Sequence, residues 1–218
     1  MASRSQFGRT AGGRCVGMKD LVVLVADSNM KAAVQTLIEK RHKSLGIRQV
    51  QADFFVHPER DAGVLLRAHI FLQQFHNEYR YALVMFDHEG CGQENKPAEE
   101  LEQEAKQRLE QSEWQRRCEV IVLEPELEAW VWSSSPHVPK VLGLTLEQMQ
   151  QILSRFPQNN FGKPERPKEA MEECLRQAKI PRSSSIYAEL AETVGLQNCV
   201  DPTFVKFRQT LQEWFPTA

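Results

Sequence analysis

Hydrophobic positions fall into two rhythms along the chain, short unbroken runs and longer stretches of helical spacing, and the two take turns. Residues 21–25, Leu-Val-Val-Leu-Val, form a continuous aliphatic run that ends in Ala26-Asp27-Ser28-Asn29. A run of this length with a turn signal behind it predicts a buried strand, and Asp27, Ser28 or Asn29 supplies the cap of a following helix. That helix is expected over residues 30–44, with Ala33, Leu37 and Ile38 on one face and Gly46 closing it. A second strand is expected over residues 47–56, stopped by Pro58, and a second helix over 62–77 with Val64, Leu65, Ala68, Phe71, Leu72 and Phe75 in register. Residues 81–86, Tyr-Ala-Leu-Val-Met-Phe, predict a third strand; it ends in Asp87-His88-Glu89 with Gly90 and Gly92 behind. Residues 95–117 read as a long charged helix, and 118–123, Cys-Glu-Val-Ile-Val-Leu, as a fourth strand. Pro125 is placed to open a helix directly after it.

Strands alternating with helices in this way predict βαβ crossovers and an α/β fold, a mostly parallel four-stranded sheet flanked by helices. After Trp132 the texture changes to loops and helices, over residues 146–156, 168–179, 184–194 and 202–214. The expected organisation is a basic disordered tail over 1–19, an α/β core over 20–133, and a C-terminal helical annex over 134–218 packed on that core. The 218 residues suffice to bury a real core.

In open α/β sheets ligands bind just outside the carboxyl ends of the strands. Acidic residues gather at those predicted ends: Asp27 after the first strand, Asp87 and Glu89 after the third, and Glu124, Glu126 and Glu128 after the fourth. Asp87 and Glu89 share a side if the chain stays extended, and His88 points the other way. Hard oxygen ligands suit Mg²⁺ or Mn²⁺, and paired ions serve phosphodiester chemistry. Each residue also has a plainer role. Asp27 serves as an N-cap, the glutamates after the fourth strand complement a helix dipole, and Trp130 and Trp132 belong to the core. Lys163 and Lys168, in or beside a Pro-rich loop, are the candidates to meet a substrate phosphate.

Composition narrows the partners. A formal net charge of −2 gives no bulk electrostatic case for nucleic acid, leaving a local patch or the tail, with Arg4, Arg9, Arg14 and Lys19, to recruit it. No stretch is apolar enough to span a bilayer. Five scattered cysteines without a CxxC pair argue against a zinc knuckle and for reduced thiols in a cytoplasmic protein.

Together the residues resemble the Toprim-like fold of topoisomerases, primases and overcoming-lysogenization-defect nucleases. Asp87-His88-Glu89 is similar to the Asp-x-Asp motif of that fold, with Glu in the second place. A closer likeness is to small bacterial Toprim-like proteins found with defence genes. It is carried by Pro125-Glu126-Leu127-Glu128-Ala129-Trp130, Pro167-Lys168, and Cys199 with Phe204. The resemblance runs from about Leu21 to Trp214 through short motifs. It implies a metal-dependent nucleic-acid hydrolase within an anti-phage assembly with protein partners, DNA ahead of RNA as substrate. Asp87 and Glu89 would hold Mg²⁺ or Mn²⁺, Glu126 and Glu128 would complete the ligand set, and Asp27 would act as base. One departure matters. The first Toprim motif usually carries Glu, whereas this chain has Ala26-Asp27. Either Asp27 has taken the role or the acid/base is missing. The alternatives are therefore a non-catalytic subunit of a larger complex and a small-nucleotide phosphohydrolase.

Overall fold

A computed structural model describes residues 17–133, 135–195 and 199–217. The tail expected over 1–19 lies outside them except for its last three residues. Of these, Lys19 already opens the first strand, where it pairs with Asp53 at 2.6 Å.

Four strands form one sheet: β1 (Lys19–Val25), β2 (Ala52–Val56), β3 (Tyr79–Asp87) and β4 (Cys118–Leu123). Their order is β2-β1-β3-β4 and every pairing is parallel. This is the α/β architecture that the alternating pattern predicts. Leu83, Val84, Met85 and Phe86 of β3 are wholly buried, each contributing about 1.5–3 kcal/mol of hydrophobic stabilisation. The second strand is shorter than the expected 47–56. Ile47 instead makes an isolated antiparallel bridge to Pro216, and Arg48 N–H donates to the Phe215 carbonyl, so this stretch is tied to the C-terminus.

The helix after β1 is α1 (Ser28–Lys40), capped by Asp27, whose Oδ1 accepts Met30 N–H at 2.8 Å. It stops earlier than expected, and a short α2 (His42–Leu45) follows, closed by Gly46 at φ 75°. The break falls at Arg41, whose guanidinium leaves the helix to donate to the Ala191 and Val194 carbonyls at 3.1 and 3.2 Å. Then come α3 (Arg60–Leu72) and α4 (Ala98–Leu109). Right-handed crossovers send α1 to one face of the sheet and α3 and α4 to the other, because β2 lies on one side of β1 while β3 and β4 lie on the other. The contacts agree: Trp114 Nε1 and Arg108 donate to the Leu72 and Leu65 carbonyls, joining the α4 region to α3. The chain therefore switches faces between β1 and β3, where an open α/β sheet opens a crevice.

The C-terminal part comprises α5 (His137–Val141), α6 (Leu146–Leu153), α7 (Pro167–Ala178), α8 (Ser184–Thr193) and α9 (Pro202–Trp214). Residues 137–139, expected as the end of a loop over 133–139, instead begin α5. In α6, Thr145 and Gln148 make a reciprocal capping box. Trp214 stacks on Tyr81 of β3 at 4.6 Å between ring centroids, and Lys206 Nζ donates to the Val120 carbonyl of β4. One hydrophobic core runs from Leu21 to Phe215, so the annex shares the core of the sheet. The four described cysteines are free. Among the described residues, no helix is long and apolar enough to cross a membrane.

Candidate functional site

The carboxyl edge of the sheet is built by register. Val25 of β1 stands level with Val56 of β2 and Met85 of β3, and Asp87 at the end of β3 pairs with Leu123 at the end of β4. The turn after β4 therefore starts beside Asp87. The backbone tightens this junction: His88 N–H donates to the Leu123 carbonyl and Glu89 N–H to the Pro125 carbonyl. Beyond a cis Glu124–Pro125 bond the chain makes a single 3-10 turn, Leu127–Trp130, with Glu126 at its head. Pro125 thus precedes a short turn and does not open an α-helix as expected. The consequence is geometric. Carboxylate oxygens of Asp87, Glu126 and Glu128 all lie within 4.8 Å of one another.

Asp87 and Glu128 face a basin of about 420 Å³ whose walls also include Asp27, Arg60, Asp61, Glu89, Lys168 and Arg182. The basin occupies the crevice side of the β1/β3 switch point. Asp87 sits at its centre: its Oδ1 accepts Leu127 N–H at 2.9 Å, and its own N–H donates to Asp61 Oδ1 at 2.9 Å. Glu126 is buried, with Oε1 accepting Lys168 N–H at 2.9 Å and Oε2 3.5 Å from Lys168 Nζ. Glu128 is buried as well. Its Oε1 accepts from Arg182 at 2.6 Å and from the Tyr187 hydroxyl, while Arg182 Nε donates to that hydroxyl oxygen at 2.7 Å.

Negative charge is crowded here beyond what Arg60, Lys168 and Arg182 offset. Burial first, then Asp61 and Glu128, push the Asp87 carboxyl well above the usual carboxylate range. Burial and the neighbouring Glu128 lift Glu126 to about 7. Asp61 is raised by burial, with Asp27 adding to it against the hydrogen bond from Asp87. Burial alone would lower Lys168, but Glu126 and Glu128 outweigh it and its pKa rises. Arg182 behaves likewise beside Tyr187 and Glu128.

The structure unites some of the expected residues and separates others. Asp87, Glu126 and Glu128 converge. Asp27 and Glu89 line the same basin but stand outside the tight triplet. Glu89 is exposed on a turn where Gly90 and Gly92, at φ 93° and 80°, both donate to Glu94 Oε1. Glu124 is exposed, and His88 Nε2 meets the Lys96 carbonyl at 2.8 Å. Lys168 lines the basin. Lys163 does not: its ammonium is buried, 2.7 Å from the Ala129 carbonyl and 2.9 Å from Asp201. There it ties the turn after β4 to the N-cap of α9, so the expected phosphate contact gives way to an internal ion pair. Trp132 is in the core, its indole donating to the Pro167 carbonyl, and Trp130 is half-buried. Asp61, Arg182 and Tyr187 were not expected. Asp61 follows β2, so the strand-end rule that picks out Asp27 and Asp87 applies to it too. Arg182 lies in a loop 54 positions from Glu128, and no local pattern marks it.

No protein-family model matches the chain, and neither a curated protein nor a solved structure matches it.

Proposed function

We propose that this chain is a Toprim-like, divalent-metal-dependent phosphodiester hydrolase acting on nucleic acid, DNA ahead of RNA. The observation that supports this most is the convergence of the Asp87, Glu126 and Glu128 oxygens within 4.8 Å at the mouth of a parallel sheet. The donor set fits a hard dication: three carboxylates, two of them buried, whose mutual repulsion such an ion would offset. Asp87, Glu126 and Glu128 would hold Mg²⁺ or Mn²⁺. When bound, the ion would supply charge stabilisation to the attacking and leaving oxygens of a phosphodiester.

The chain's own residues do the remainder. The Leu127 N–H on Asp87 Oδ1, the Lys168 N–H on Glu126 and the Tyr187 hydroxyl on Glu128 orient the three carboxylates. Asp27 commits Oδ1 to the α1 N-terminus, which leaves Oδ2 as the atom to take a proton. Glu89, on the rim, would serve an outer position. The anti-phage setting and its protein partners rest on the motif resemblance alone.

A specific observation favours a second reading, a non-catalytic subunit: each carboxylate of the triplet already accepts a hydrogen bond from the protein, as in a purely structural polar network. Calorimetry with Mn²⁺ separates the two, with Asp87→Ala as control. Binding lost in the variant supports the hydrolase, and no binding at millimolar Mn²⁺ leaves the docking role. Parallel assays on plasmid DNA and on nucleoside triphosphates separate nuclease from nucleotide phosphohydrolase action.

A further inference from the structure

Two of the three cations that line the basin, Lys168 and Arg182, are tied to carboxylates of the triplet; the third, Arg60, comes from the start of α3. Lys168 Nζ stands 3.5 Å from Glu126 Oε2, and Arg182 donates to Glu128 Oε1 at 2.6 Å. Neither is sealed away, since their side chains are 42% and 30% exposed and both line the basin. Both come from the C-terminal part, Lys168 from the first turn of α7 and Arg182 from the loop before α8. The carboxylates they face come from the turn after β4. Two cations of the basin are thus held by carboxylates of that turn.

We propose that Lys168 and Arg182 form a phosphate-receiving pair released by metal binding. This inference rests on the hydrolase reading above. A dication and these two side chains compete for the same two carboxylates, Glu126 and Glu128. Once those carboxylates are engaged by an ion, the ammonium and the guanidinium lose their contacts with the triplet while still lining the basin. They then face the space where a phosphodiester anion would lie, and Arg182 offers a planar fork suited to two phosphate oxygens. Glu172, 3.1 Å from Arg182, and the Tyr187 ring beneath its guanidinium keep that side chain in place without the Glu128 contact. The order of events follows. Without metal the carboxylates of the basin outnumber its cations and repel phosphate, and with metal Lys168 and Arg182 are no longer held by the triplet. By linkage, anion binding tightens metal binding to the same degree.

The exchange has a signature that a structural ion pair lacks. Lys168→Gln and Arg182→Gln remove the competitors of the metal, so each variant binds Mg²⁺ several-fold more tightly than the wild type. A network that only orients ligands would bind it more weakly when broken. The experiment is calorimetric titration of Mg²⁺, and separately of inorganic phosphate with and without saturating Mg²⁺, into the full chain. Circular dichroism confirms that each variant is folded, and the half-exposed Lys168 supplies the safer of the two. In the wild type, phosphate affinity rises about fivefold or more with Mg²⁺, the usual range of coupling between two sites. In the variants metal affinity rises and the coupling collapses. Metal binding unchanged or weakened in both variants, or coupling that survives in them, overturns the exchange while leaving the metal reading intact. Failure of the wild type to bind Mg²⁺ overturns both.

Discussion

Replacing Asp87 by Asn makes the sharpest test of the electrostatic argument. Asn keeps an oxygen for the Leu127 N–H and changes little in volume, so the variant removes charge and little else. Two unit charges 4.8 Å apart repel by about 3 kcal/mol at an effective dielectric constant of about 20. Asp87 faces two such neighbours, Glu126 and Glu128, as well as Asp61. Lys168 and Arg182 offset part of this, and partial protonation of Asp87 itself removes more. A net gain of about 1–2 kcal/mol in the metal-free protein remains above neutral pH. For a chain of this size each 1 kcal/mol raises the melting temperature by about 2–4 °C. Thermal unfolding in a chelator at pH 8 should therefore place Asp87→Asn several degrees above the wild type. The gain should shrink as pH falls, because burial and the neighbouring carboxylates hold the native carboxyl well above the usual carboxylate range and so favour its neutral form. Adding Mg²⁺ should reverse the ranking, because an ion that binds only the folded wild type stabilises it by mass action. A variant that melts below the wild type in chelator refutes the reasoning, since Asp87 would then be a net contributor to the metal-free fold.

Glu126, at about 7 in the folded chain against 4.5 for a free glutamate, holds its proton more tightly when folded. Metal-free stability should therefore be highest below about pH 4.5 with respect to this group and fall as pH rises through about 7. Urea melts should show that decline in the wild type and lose it in Glu126→Gln. Lys163→Met should cost about 3–5 kcal/mol by leaving Asp201 buried and unpaired, with Mg²⁺ affinity in the folded fraction unchanged because Lys163 is outside the basin. Gly63→Ala would bring a methyl group 2.4 Å from His57 Nδ1. It should destabilise by about 1–3 kcal/mol in urea melts, and unchanged stability would show that the His57 turn is free to move.

The sheet was legible because each strand carries its own signal. Residues 81–86 and 118–123 are apolar runs with hard stops, and they appear as the centre of β3 and the whole of β4. Gly46 marks a helix end that the structure keeps, although it closes the short α2 and not one helix running from residue 30. The run over 47–56 misled because Ile47 is apolar for a different reason: it packs against the C-terminus instead of joining a ladder. The site was half legible. Strand-end carboxylates point to the right edge of the sheet, but which of them meet is decided by the tight turn after β4. That turn carries Glu126 and Glu128 inward and leaves Glu124 in solvent. The cations were the least legible part. Lys163 and Lys168 are alike as lysines near prolines, and only tertiary packing sends one into the core and the other to the basin. Arg182 reaches Glu128 from a loop whose local sequence gives no hint of it.

The account rests on an ion held by three carboxylates at the mouth of the sheet. The most direct measurement is anomalous scattering at the manganese edge from crystals soaked in Mn²⁺. The account predicts a peak within about 2.5 Å of oxygens from Asp87, Glu126 and Glu128. A soaked crystal with no peak among those three side chains, and with Lys168 and Arg182 still paired to Glu126 and Glu128, would contradict it.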